Sequence, residues 1–131
     1  METIRIAAVV LRDQAGRVLG VRKRGTGSFM LVGGKLEVDE PPLRAAVREV
    51  AEELHLELVP PDLRHLGRFA APAANEVGAG VDCDVYLADG ALAGLPPVYE
   101  EIAEARFFPV DSAAEELAPL SRDVIFPLLR G

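Results

Sequence analysis

A chain of 131 residues, half of them hydrophobic, can bury one core but not two, so a single domain over 1–131 is expected. With 14 Lys and Arg against 21 Asp and Glu, and a net charge of -7, it lacks the broad basic footprint of a nucleic-acid binder; a small phosphorylated ligand held through a cation stays open. One cysteine, Cys83, excludes an internal disulfide and a thiolate zinc cluster, and the apolar run over 4–11 is too short for a signal peptide or membrane span, so a cytoplasmic protein without a membrane partner is expected.

In chain order, Ile4, Ile6, Ala8 and Val10 alternate as a strand does, "RDQAGR" supplies a turn, and "VLGVRKR" resumes the extended pattern, which predicts a hairpin. "GTGS" reads as a loop, "FMLV" as a short strand, and "GGK" as backbone able to take conformations closed to other residues. The clearest element is a helix over 41–54. Leu43, Val47, Val50 and Leu54 share one stripe, and Pro41 suits the first turn, where its missing N–H has no partner to lose. "LRHLGRFAAP" and "VDCDVYLAD" read as strands around the loop "APAANEVGAG"; "GALAGLPPVYEE" is a second loop and "ARFFPV" a further strand. "DSAAEEL" and "SRDVIFPLLR" read as helical, the latter bent at Pro127. Strands before and after the long helix favour a mixed α/β sandwich.

That helix carries an anomaly. Glu49, Glu52 and Glu53 fall at i, i+3 and i+4 on one face, near the C-terminus, where the macrodipole also disfavours anions. The positions four before and four after Glu49 hold Ala45 and Glu53, so the usual basic partner is missing. One reading is a solvated acidic face. The other is a site for a hard divalent cation, which reverses the sign of each repulsion and binds carboxylates together with substrate phosphate oxygens.

Gly34, Glu40, Arg48, Glu49, Val50, Glu52, Glu53 and Leu56 stand at the spacings of the Nudix box, matching all but one of its defined positions. The chain therefore resembles the Nudix hydrolases, and the order of its flanking elements is similar as well. The resemblance implies an α/β/α sandwich with a mixed β-sheet. It also implies hydrolysis of a nucleoside diphosphate linked to another moiety, using Mg2+ or Mn2+. By the same resemblance Glu52 and Glu53 are metal ligands, joined by the Gly33 carbonyl. Glu49 orients or deprotonates the attacking water, or binds metal itself. Arg48 braces the cluster, an ordinary surface pair being the plainer account. Glu40 is catalytic by its place in the box and equally explicable as an anion at a helix N-terminus. Glu101 resembles the distal carboxylate that completes the metal shell, against the alternative of a charged surface loop. Lys23 and Gly34 are the substrate-binding candidates, Lys23 for phosphates.

Two departures stand out. His55 replaces the box glycine just past the helix, which costs on the order of 1 kcal/mol if that residue is left-handed. Val32 replaces the proline that often precedes the paired glycines. His55 and His65 lack partners at ligand spacing and read as structural, and Cys83 reads as a small core residue. Phe29, Phe69, Asn75 and Glu76 are candidates to meet a nucleobase, with core packing and loop solvation as the plainer accounts. The short length resembles the MutT-like enzymes that act on nucleoside triphosphates. Pro72 stands at a spacing reminiscent of the ADP-ribose branch, so an ADP-ribose or nucleotide-sugar pyrophosphatase is the alternative, and a non-catalytic nucleotide-sensing module is a third. A small nucleotide is the expected partner, for a monomer or homodimer.

Overall fold

Alternate residues of a strand face opposite sides, and the first strand shows why a layered molecule forms. In a computed structural model, which describes residues 2–131, β1 (Glu2–Val10) sends Ala7 and Val9 into one buried cluster and Ala8 and Val10 into another. The remaining strands are β2 (Val18–Lys23), β3 (Phe29–Met30), β4 (Val32–Lys35), β5 (Leu63–Pro72), β6 (Ala79–Ala88) and β7 (Ile102–Phe108). One sheet has the order β4-β1-β6-β5 and is mixed, since β1 runs parallel to β6 but antiparallel to β4. The other, β3-β2-β7, is antiparallel.

Helix α1 (Pro42–Leu54) lays Ala46, Val50 and Leu54 on the cluster that contains Ala7, Val9 and Val32. On the opposite side, a π-helical turn (Leu120–Ile125) and α2 (Phe126–Arg130) bury Ile125 and Phe126 against Val10, Phe29 and Val85. This is the expected α/β/α sandwich with a mixed sheet, and a second sheet lies beside it. No helix among the described residues is long and apolar enough to cross a membrane.

Four local expectations are corrected. The predicted hairpin survives only at its base, where Leu19 N–H donates to Leu11 O at 2.8 Å; β1 and β2 then enter different sheets. The "FMLV" strand is divided at Leu31 between β3 and β4 for the same reason. Residues 111–117 form turns and irregular backbone rather than a helix, because Leu117 bridges to Phe29 and Phe29 N–H bonds Glu116 O, which ties the end of that stretch to β3. Pro41 is the N-cap and Pro42 the first helical residue, one position later than expected.

Candidate active site

The site begins with the close approach of two backbone segments. Gly33 pairs with Ala8 and Gly34 with Ala7 across β4 and β1, and neither glycine has a positive φ. Their need for glycine is therefore one of space, not of conformation as the sequence suggested. A Cβ on Gly33 would run into the Ala7 carbonyl oxygen, and one on Gly34 would lie 2.5 Å from the Glu49 carboxyl carbon. The Glu49 carboxylate thus rests directly over Gly34.

Arg48 organises the acidic residues around it. Its Nε and Nη2 donate to the two oxygens of Glu40 at 2.8 and 2.9 Å, its Nη1 donates to Glu49 Oε1 at 2.9 Å and Glu52 Oε1 at 3.2 Å, and Nη2 also reaches Lys35 O at 3.1 Å. Glu40 additionally accepts the Glu37 N–H at 2.9 Å. The Arg48 fork and that amide hold the Glu40 carboxyl down at about 2. Both Glu40 oxygens are thus engaged by Arg48, one of them also by the Glu37 amide.

The three glutamates on the helix face have different environments. Glu52 is exposed and turned to Arg48. Glu49 is mostly covered, and burial pushes its carboxyl up. Glu53 is 2% exposed, and its Oε1 has no hydrogen-bond partner among the described residues. Burial first, and Glu49 second, push the Glu53 carboxyl up to about 8. A buried carboxylate oxygen without a partner costs on the order of 1–3 kcal/mol or more, which a ligand must offset if the residue is to be ionised.

Glu101, on the turn before β7, approaches from the other side and also raises Glu49 and Glu53 electrostatically. Lys23, at the end of β2, pairs with Glu101 at 3.5 Å and acts in the opposite sense on Glu53. The structure therefore gathers Glu49, Glu53, Glu101, Gly33 and Lys23 in one place, with Glu52 at the rim. Among the described residues, no three acidic, cysteine or histidine side chains stand ready in ligand geometry. The partnerless oxygen of Glu53, beside a second carboxylate, is the feature that suits a hard cation, since such ions take oxygen ligands and bring much of their shell as water and phosphate.

A cleft of about 310 Å³ opens alongside. Lys23, Gly33, Gly34, Ile6, Met30 and Ser121 are among the residues that line it. Asn75 and Glu76 border it as well, whereas Phe29 is buried in the core and Phe69 packs against it. Sequence reasoning missed Ser121 and Met30, because neither belongs to a motif and the cleft is assembled from six strands and the π-helical turn. His65 is structural as expected, its Nε2 lying 2.7 Å from Asp84 Oδ1. Cys83 is fully buried.

The NUDIX domain family matches residues 2–129. The chain belongs to the Nudix family. A relative from Streptomyces rubellomurinus, a "CMP-5'-(N-acetyl-N-hydroxy-3-aminopropyl)phosphonate hydrolase", is 35% identical over 116 residues, covering 85% of this chain and 54% of that protein. The chain spans about half or less of the length of the curated relatives it matches. A MutT protein structure from Methanosarcina mazei has the same fold, with a TM-score of 0.80 at 21% identity over 98% of this chain and 94% of that one. A MutT Nudix hydrolase structure from Burkholderia pseudomallei gives 0.74 at 27% identity over 93% and 95%. In this Nudix domain the box therefore runs from β4 through α1, and His55 occupies its one unmatched position.

Proposed function

We propose that this Nudix domain hydrolyses a pyrophosphate bond in a nucleoside diphosphate linked to a further group, with a nucleoside triphosphate as the first substrate to test. The observation that carries this reading is Glu53, a buried carboxylate with a partnerless oxygen whose electrostatic neighbours include Glu49 and Lys23, the latter also lining a cleft large enough to begin enclosing a nucleoside.

The cleft takes the nucleoside end, with apolar contact from Met30 and Ile6 and hydrogen-bonding capacity from Ser121 and Asn75. In this reading the phosphates lie toward Lys23, whose ammonium draws negative charge. Glu53, Glu49, Glu101 and the Gly33 carbonyl are the groups that would hold Mg2+ or Mn2+, with Glu52 within reach by a change of rotamer. Such an ion neutralises phosphate oxygens and lowers the pKa of water. Arg48 holds Glu49 by Oε1 only, which leaves Oε2 free to accept the proton of an attacking water. Glu40 keeps the Arg48 fork in plane, so that Glu49 has one position rather than several.

A second reading follows from the Streptomyces rubellomurinus relative, whose substrate by its name is a CMP-linked phosphonate. Here the group beyond the nucleotide would be a phosphonate in place of pyrophosphate, with the same residues acting. Incubating nucleoside triphosphates, ADP-ribose, nucleotide sugars and CMP-linked phosphonates with Mg2+, and separating the products, distinguishes these cases. The expected result is a nucleoside monophosphate, formed at least about a hundredfold more slowly by Glu53→Gln. Binding without product would identify a sensing module, and an undiminished rate in Glu53→Gln would remove that residue from the site.

A further inference from the structure

His55 follows the last residue of α1 with φ 53° and ψ 35°, the left-handed region in which a side chain is strained and glycine is not. The Nudix box has glycine at this place. Something in this chain offsets the strain, and it is visible in the imidazole's surroundings. The ring lies on Tyr99, with centroids 3.5 Å apart and planes 6° from parallel. The backbone repeats the attachment, since Tyr99 N–H donates to Glu53 O at 2.9 Å.

Tyr99 begins the turn that carries Glu101. Ile102 N–H returns to Tyr99 O at 3.1 Å, Glu100 at its tip is itself left-handed with φ 57°, and Ile102 is buried at the start of β7. On the far side Arg24 N–H donates to Glu101 O at 2.9 Å. The Glu101 backbone is therefore tied to the turn after β2 by one bond and to the end of α1 through Tyr99. The Glu101 side chain has no such restraint beyond its pairing with Lys23 and is largely exposed.

We propose that His55 is a positioning residue: by stacking on Tyr99 it fixes the 99–101 turn against the end of α1 and so sets the reach of Glu101 toward Glu53. The inference rests on the reading of Glu101 as part of the cation-holding group, and it gives the missing box glycine a use. A glycine would relax the backbone but leave Tyr99 held by a single amide bond, and the turn would swing on that bond.

His55→Gly separates the two accounts, because only the clamp predicts a change in exchange and in Mn2+ binding. If the ring merely fills surface, the variant is as stable as the natural protein or more so, and nothing else changes. If it clamps the turn, thermal stability holds while amide exchange at Glu100, Glu101 and Ile102 quickens. Mn2+ binding without substrate, read by water proton relaxation, then weakens by about two- to tenfold, the range of an aromatic stacking contact. Tyr99→Leu should reproduce both changes and Tyr99→Phe, which keeps the ring, neither. Unchanged exchange and unchanged Mn2+ affinity in His55→Gly overturn the proposal. Glu101→Gln isolates the underlying reading. If it leaves Mn2+ binding intact while His55→Gly still quickens exchange, the clamp stands and the assignment of Glu101 to the cation fails.

Discussion

Arg48 and Asp84 each sit at the centre of a charged cluster, and the two clusters balance differently. Around Asp84, on the strands, Arg5 bonds Asp84, Arg68 bonds both oxygens of Asp82 at 2.8 and 2.5 Å, and His65 lies 2.7 Å from Asp84. Two arginines and a histidine there meet two aspartates. Around Arg48, one guanidinium serves Glu40, Glu49 and Glu52, and Glu53 one turn further on receives none of its donors. The number of charges is similar, and the surplus is what differs. A cluster that closes on itself needs nothing from outside, whereas one that leaves a buried carboxylate oxygen without a partner keeps that group neutral or, for it to ionise, must take a ligand.

Breaking each cluster at its arginine tests this contrast. Arg48→Ala should give the largest effect. It strands Glu40, which is nearly buried, and frees Glu49, so we expect a stability loss of about 2 kcal/mol by denaturant titration, discounted for the partial exposure of Arg48. Turnover should fall about 10- to 100-fold, as when a residue that orients a ligating side chain is removed. Arg48→Lys keeps the charge without the planar fork and should recover only part of either.

A smaller effect is expected from pH. The Glu40 carboxyl lies at about 2 against an ordinary 4.5, a depressed value, so its contribution to stability is complete above 4.5 and is lost as pH falls toward 2. The thermal midpoint of the natural protein should therefore drop more steeply over that interval than that of Glu40→Gln. Parallel curves would deny Glu40 its pairing with Arg48 in solution. The smallest effect belongs to the balanced cluster: Arg68→Ala, on the exposed side of its pair, should barely move the denaturant midpoint and should leave turnover unchanged.

Local periodicity was enough to place α1 within one residue at its start, and "LRHLGRFAAP" coincides with β5 from end to end. Both signals lie within a dozen residues, and burial on one side reinforces them. Strand partnership was not legible in the same way. Alternation shows that residues 4–10 are extended, but the choice of β6 and β4 as neighbours over β2 is made by contacts remote in sequence. The site divides along the same line. The i, i+4 bond from Arg48 to Glu52 could be read from spacing, whereas the bonds to Glu40 and to Lys35 O exist only because the loop before α1 folds back on the helix. The separation of Glu53 from Glu52 is a matter of which side of α1 meets the sheet. A one-residue step turns the side chain by about 100°, from solvent to interior.

Cys83 lies on β6 with no exposed surface, and burial pushes its thiol up to about 12, so almost no thiolate is present at neutral pH to react with an alkylating reagent. The natural protein is thus a silent background for site-directed labelling. A cysteine placed at exposed Glu100 would be the single position a maleimide dye attacks, and the dye's anisotropy would report the movement of that turn as cations and nucleotides are added.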